Sequence, residues 1–342
     1  MNNMKLIGLM PRGLSLQLNR FYDVFCRPPF RRFLPLRELT IETTTYCNLK
    51  CKGCYRTNHH YKSKNMQMSL VDFKHYVDQV PSAYTLILHG QGEPTLNPDL
   101  LEMIKYANDS KKFRYLNFTT NVLAKKPEIY NPLFANGLNF IIISVDSLDQ
   151  KEADILRTGT SVDQLYDNIK YLFKRFPDKI LFRMAISKLN VKTFMNTIQK
   201  LTDIGVKTVG FQPYFDLGDS TLCLSIAERD EFLSKIKLLR EDNIQFNLSP
   251  MFGSTYKHCN NPYNSPVITV DGNLSPCCGI SNSAIFTWGN LKESTFKKLF
   301  FSRKNDSLQQ SIKKGKYPFF CKNCTSNHVE QVLWGEQKNA VE

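Results

Sequence analysis

Between residues 37 and 213 the chain alternates two kinds of hydrophobic pattern. Short β-branched or aromatic runs appear as "RELTIETT" (37–44), "YTLILHG" (84–90), "FRYLNFTT" (113–120), "LNFIIISVD" (138–146), "KILFRMAIS" (179–187) and "VKTVGFQP" (206–213). Between them lie longer amphipathic stretches: "SLVDFKHYVDQV" (69–80), "PDLLEMIKYAND" (98–109), "KPEIYNPLFAN" (126–136), "SVDQLYDNIKYLFKRF" (161–176) and "VKTFMNTIQKLTDIG" (191–205). Strand and helix periods alternating in this way predict βαβ units on a parallel sheet, hence the α/β class. Six strands are too few for a closed eightfold barrel, so an open, partial (β/α)6 barrel is expected.

From about residue 214 the grammar changes. One helix is predicted at 225–242, then a region of turns at 257–283 that carries cysteines, then a helical stretch at 290–315, and "YPFFCKNCTSN" closes the set at 317–327. The expected organisation is a basic, aromatic extension at 1–36 that covers a barrel end, a barrel at 37–224 and a small appended domain at 225–342. The core of that last piece reads as too thin to stand without a metal staple.

Composition narrows the setting. A chain of 342 residues, 42% hydrophobic, can bury a full core. Its apolar runs fall short of the ~20 residues that span a bilayer, and "LIGLM" is too short for an export signal. A cytoplasmic setting is therefore expected, where ten cysteines argue for metal or catalysis over disulfides. The net charge of +14 suits an anionic partner, but no base-stacking module accompanies it, so nucleic acid is disfavoured.

In such barrels the loops leaving the strand ends carry the chemistry. The first holds Cys47, Cys51 and Cys54 at CxxxCxxC spacing. Three thiolates leave one iron of an iron–sulfur cube without a protein ligand, open to a small molecule. A zinc site completed by His59 or His60 is the competing reading. At the far end, Cys259, Cys277, after a turn at Gly272, and the CxxC of Cys321 and Cys324 supply four soft ligands from three segments. Spacing alone leaves zinc and a closed [4Fe–4S] cluster equally open there.

"CNLKCKGC" after a first barrel strand resembles the signature of radical S-adenosylmethionine (radical SAM) enzymes. The resemblance implies a [4Fe–4S] cluster on Cys47, Cys51 and Cys54 whose free iron chelates SAM. "GQGEP" (90–94) is similar to the family's GGEP element, which implies that Gly90, Gly92 and Glu93 receive the methionine amino group. Asn121, Ser144 and Asp146 stand at the next two strand ends, where the family contacts the ribose and carboxylate of SAM. Arg157 in "LRTG" is a candidate for an anionic group at the mouth. Gly53 departs from the pattern, since many members carry an aromatic residue there beside the adenine, and Tyr55 is its candidate replacement.

"DGNLSPCCG", "WGNLKESTFKKLF" and "FFCKNC" resemble the SPASM/Twitch extension, which implies one auxiliary [4Fe–4S] cluster on Cys259, Cys277, Cys321 and Cys324. Cys278 is then a candidate hydrogen-atom donor, while Cys26 and Cys223 read as core or surface residues. Tyr214 and Asp216 are candidates to line the substrate side. The implied activity is hydrogen abstraction from a sugar- or aminocyclitol-like small molecule, anionic or nucleotide-linked among the options, ending in dehydrogenation or epimerisation. A flavodoxin- or ferredoxin-type protein would donate the electron. The alternatives are maturation of a ribosomally made peptide and, in another class, a zinc-stapled binding protein for RNA.

Overall fold

The computed structural model describes residues 35–57, 64–214, 220–239, 245–248, 252, 259, 261–280 and 285–322. The six expected strands all form: β1 (Leu36–Ile41), β3 (Ala83–Ile87), β4 (Phe113–Thr120), β5 (Phe140–Ser144), β7 (Ile180–Ile186) and β8 (Thr208–Pro213). They pair in parallel, in that spatial order, and the crossovers between β3, β4, β5, β7 and β8 run through helices. The helices fall where hydrophobic spacing and caps place them. Ser69 starts helix Leu70–Gln79 by accepting from Asp72 N at 3.0 Å, and Ser161 does the same for Val162–Arg175.

Alternation along the strands defines two faces. On β7, Ile180, Phe182, Met184 and Ile186 are buried against the helices, while Leu181 and Ala185 are half-buried and Arg183 is exposed. The convex side thus holds the core, and the concave side lines the hollow of a half-open barrel.

Several elements were not expected. β2 (Lys50–Cys51) and β6 (Arg157–Thr158) form a separate antiparallel pair. A helix at Gln150–Leu156 precedes β6. β9 (Gln245–Leu248) adds a further parallel strand beside β8. On the opposite edge, β10 (Val267–Ile268) pairs in parallel with β1 and leads into the antiparallel strands β11 (Asn273–Ser275) and β12 (Gly289–Asn290). The C-terminal region therefore continues the barrel sheet to ten strands.

The helix expected over 290–315 is corrected to two, Phe296–Phe300 and Arg303–Lys313, preceded by β12. Ser302 breaks the run because its side chain caps the second helix, accepting from Asn305 N at 3.3 Å. The thin appended core is also corrected: Leu274, Trp288, Leu291, Phe296, Phe300 and Ile312 join the same buried cluster as the barrel strands.

Candidate functional site

The chain leaves β1 through a buried polar run, Glu42 to Thr45. Thr45 Oγ1 donates to Lys64 O at 2.7 Å, and Met68 N donates to Thr43 O at 2.9 Å, so the returning strand-like segment holds the base of the cysteine loop. The β2–β6 pair then sets Cys51 opposite Arg157, and Lys52 N donates to Leu156 O at 3.1 Å. Thr57 closes the turn by donating to the carbonyls of Cys51 and Cys54. This short pairing anchors an otherwise irregular loop to the ring of strand ends.

Cys47, Cys51 and Cys54 are half-buried thiols. Burial pushes the Cys51 thiol up to about 11, opposed by the nearby Arg157 guanidinium and reinforced by its fellow cysteines. Burial likewise raises Cys47. Such thiols ionise only with a strong cationic partner, which iron supplies. Among the described residues no three Cys, His, Asp or Glu side chains close on a single metal ion. The three thiols are close enough that the charge of Cys54 raises both Cys47 and Cys51. Two donors already face Cys47 Sγ: Leu49 N at 3.5 Å and Asn121 Nδ2 at 3.9 Å. Hydrogen bonds to sulfur are what a cluster-bound thiolate accepts, so the donor set fits an iron–sulfur group.

The GQGEP loop packs directly onto this one. Glu93 N donates to Tyr46 O at 2.7 Å, and a Cβ on Gly92 would lie 2.6 Å from that same oxygen, so only glycine fits. Gly90 is equally confined, its would-be Cβ 2.7 Å from Glu42 Cβ. The Glu93 side chain is 3% exposed and does not stand open to the mouth. Its Oε1 accepts from Thr95 Oγ1 at 2.8 Å and Thr120 Oγ1 at 2.7 Å, and its Oε2 accepts from Asn121 N at 2.8 Å. It fastens the loop to the end of β4 and keeps one acceptor position on Oε2.

Asn121 bridges the loops, donating to Asn48 Oδ1 at 2.9 Å while facing Cys47. Ser144 ends β5, half-buried on the concave face. Asp146 accepts from Ala185 N at 2.8 Å and pairs with Arg157 at 3.4 Å, both side chains largely buried. Arg157 is therefore not at the surface; it sits between Asp146 and Cys51.

Tyr214 is 8% exposed and packs with Leu156 and Cys223. A Cβ on Gly53 would lie 2.7 Å from the Tyr214 ring. The ring at the end of β8 thus fills the space that a side chain at position 53 would take. That explains the glycine there and sets an aromatic ring against position 53, while Tyr55, the replacement expected from the sequence, lies half-buried two residues further on. Cys223 Sγ lies 3.8 Å from Tyr214 O, in agreement with its reading as a core residue.

Of the C-terminal cysteines, Cys259 and Cys277 are half-buried, Cys321 is buried in helix Phe319–Lys322, and Cys278 is exposed. Cys324, Asp216, His59, His60 and Cys26 lie outside the described residues.

Three residues of the site escape motif reading. Glu42 is 2% exposed, its Oε1 accepting from Gln91 N at 2.8 Å and its Oε2 from Val270 N at 3.1 Å. It joins the GQGEP loop to the C-terminal region across β1. His89 and Arg183 line the hollow; each is a polar residue inside an apolar strand run, "LILHG" and "LFRMA", which was the available signal.

The family description for the radical SAM superfamily matches residues 41–210, and that for the SPASM iron–sulfur cluster-binding domain matches 259–325. An AdoMet-dependent heme synthase of Methanosarcina barkeri is 28% identical over 183 residues, 52% of this chain and 50% of its own. The antilisterial bacteriocin subtilosin biosynthesis protein AlbA of Bacillus subtilis is 25% identical over 302 residues, 85% of this chain and 64% of its own. The chain spans about half the length of the first curated relatives it matches. Among solved structures, Streptococcus suis SuiB bound to precursor peptide SuiA superposes with a TM-score of 0.65 at 17% identity, covering 87% of this chain and 72% of that one. BtrN in complex with AdoMet and 2-DOIA superposes with a TM-score of 0.51 at 17% identity, covering 82% and 89%. These likenesses carry the fold, and the two family matches carry the rest: the chain belongs to the radical SAM superfamily, with a SPASM iron–sulfur domain after its partial barrel.

Proposed function

We propose that the chain is a radical SAM enzyme that abstracts a hydrogen atom from a C–H bond of a peptide substrate. The observation that carries the reading is the convergence of three half-buried thiols, two N–H donors facing Cys47 Sγ, and a glycine-confined loop hydrogen-bonded to the same turn. When bound, a reduced [4Fe–4S] cluster supplies an electron that cleaves SAM to methionine and a 5′-deoxyadenosyl radical. Every other part belongs to the chain. Cys47, Cys51 and Cys54 would hold the cluster, and Asn121 and Leu49 N steady the Cys47 sulfur. Gly90 and Gly92 seat the GQGEP loop against the cysteine loop and Glu42, Glu93 fastens it to the end of β4, and the loop's backbone carbonyls would receive the methionine amino group. Ser144 stands at the strand end suited to the SAM carboxylate. Tyr214 offers the aromatic surface for the adenine in place of a side chain at Gly53.

Cys259, Cys277, Cys321 and Cys324 are assigned to one auxiliary cluster in the 225–342 region. The assignment is supported by the match of the iron–sulfur domain to residues 259–325, which include all four. A flavodoxin- or ferredoxin-type donor and a reducing, cytoplasmic setting suit both clusters. No described helix is long and apolar enough to cross a membrane.

The peptide reading rests on AlbA, a bacteriocin biosynthesis protein whose likeness runs through both barrel and C-terminal region. An aminocyclitol- or sugar-like substrate is the second reading, supported by the likeness to BtrN. The test is anaerobic reconstitution and reduction with dithionite, followed by 5′-deoxyadenosine quantification with a peptide encoded beside the gene and, separately, with aminocyclitols. Stimulation by the peptide and a mass change in it support the reading. Stimulation by the aminocyclitol alone replaces it with the second, and no 5′-deoxyadenosine under any condition sinks both.

A further inference from the structure

Arg183 occupies an unusual place for a charged residue. It is the central residue of β7, which lies inside the sheet between β5 and β8, and its neighbours Phe182 and Met184 are buried on the opposite face. Arg183 itself is exposed, although protein surrounds it on most sides, and this combination places it in the hollow of the barrel. Its lateral neighbours are small: Ser144 on β5 and Gly210 on β8. The guanidinium therefore has room beside it.

Among the described residues, the acids around it are engaged elsewhere. Asp146 takes Ala185 N and Arg157, Glu42 takes Gln91 N and Val270 N, and Glu93 takes Thr95, Thr120 and Asn121. Glu38, on β1, is the acid whose field reaches Arg183, but its ion pair is with Arg37 at 3.6 Å. His89 follows β3, near enough for the Arg183 charge to act on its ring, and its Nδ1 accepts from Thr119 N at 3.0 Å. That bond fixes the tautomer with the hydrogen on Nε2, a donor for a further acceptor. Burial and the neighbouring Arg183 charge lower the imidazole to about 4, so it stays neutral at working pH.

Barrel interiors fill with branched apolar side chains when packing alone decides. Arg183 breaks that pattern with a guanidinium that stays open to solvent in the hollow and holds no ion pair among the described residues, and its planar fork matches a carboxylate or a phosphate. We propose that Arg183 and His89 form a binding point inside the barrel for an oxyanion of the substrate, a carboxylate or a phosphate. This rests on the enzyme reading above and narrows it: the substrate carries a negative group at a fixed reach from the carbon that loses hydrogen.

The test uses the anaerobically reconstituted full chain, titrated calorimetrically at constant ionic strength with inorganic phosphate and, separately, with glutarate. Arg183→Gln, Arg183→Lys and a surface control, Lys151→Gln on the exposed face of helix Gln150–Leu156, are compared after their iron content and circular dichroism match the wild type. The expected result is saturable binding of one anion, weakened at least about tenfold by Arg183→Gln, about two- to fivefold by Arg183→Lys, which keeps the charge but loses the fork, and less than about twofold by the control. Binding of phosphate or of glutarate tells which oxyanion the site prefers. Equal binding by Arg183→Gln, or no saturable binding of either anion by the wild type, overturns the proposal. So does a loss of SAM affinity in Arg183→Gln equal to the loss for the anion, since Arg183 would then hold the cofactor's carboxylate. An Arg183-dependent anion site in a protein that makes no 5′-deoxyadenosine would instead refute the enzyme reading alone.

Discussion

Glu42 ties the GQGEP loop and the C-terminal region to the same strand, and Glu42→Gln isolates that tie. The substitution keeps the shape but leaves one oxygen where two accepted, from Gln91 N at 2.8 Å and Val270 N at 3.1 Å. One charge-assisted hydrogen bond worth about 1.5–3 kcal/mol is replaced by an amide donor facing a backbone donor. Part of that loss is offset, because burial already pushes the Glu42 carboxyl above its ordinary range and makes its charge costly. The net expectation is about 2 kcal/mol, which at ~1.4 kcal/mol per decade makes opening of the affected segment roughly 30-fold more frequent. Hydrogen–deuterium exchange reads this directly. A peptide spanning 88–93 or one spanning 268–272 should exchange about ten- to thirtyfold faster than in the wild type, and one spanning 180–186 on β7 should stay within about twofold. If both reporter peptides keep their protection, Glu42 does not hold the two regions together and the reasoning fails.

Gly53→Ala should cost about 1–3 kcal/mol by crowding the Tyr214 ring, and adding Tyr214→Ala should recover much of that cost in a double-mutant cycle of denaturation midpoints; additive effects would contradict the contact. Arg157→Ala strips Asp146 of its partner at 3.4 Å in a largely buried site and should destabilise the fold by about 3 kcal/mol, measured by urea unfolding. His89, held near 4 in the folded protein against 6.5 in the free side chain, binds its proton less tightly when folded. It therefore withdraws stability as pH falls through that window, by at most about 3 kcal/mol, whereas Glu42 and Glu93, both raised by burial, act in the opposite sense. The wild type should lose more stability than His89→Asn between pH 6.5 and 4, and parallel curves would count against the buried neutral imidazole.

The barrel was legible because short β-branched and aromatic runs alternate with amphipathic stretches; the caps at Ser69 and Ser161 add a helix signal that the structure brings out. β2 and β6, two residues each, carry no period to read, yet they set Cys51 against Arg157. β10 is equally short, so its pairing with β1 and the continuous core it brings were invisible. The 290–315 stretch looked like one helix because its apolar spacing runs on; Ser302 was the sign of two. At the site, the glycines of GQGEP were read as places where a ligand approaches the backbone, and the structure shows a close approach of another kind, Gly92 against Tyr46 O and Gly90 against Glu42. Glu93 was read as a ligand alone, but Thr95 and Thr120 claim most of its carboxylate, one of them two residues away in the sequence. Tyr214 meets Gly53 only through the closure of the sheet, which no local pattern reveals.

The central claim is that Cys47, Cys51 and Cys54 hold a cluster separate from the one assigned to the C-terminal cysteines. Iron and sulfide per chain after anaerobic reconstitution, compared with the Cys47/Cys51/Cys54→Ala variant, tests it most directly. The account predicts about eight irons falling to about four, with the lost portion also losing its spectral response to SAM. Zinc with little iron, or an iron content that the triple substitution leaves untouched, would contradict it.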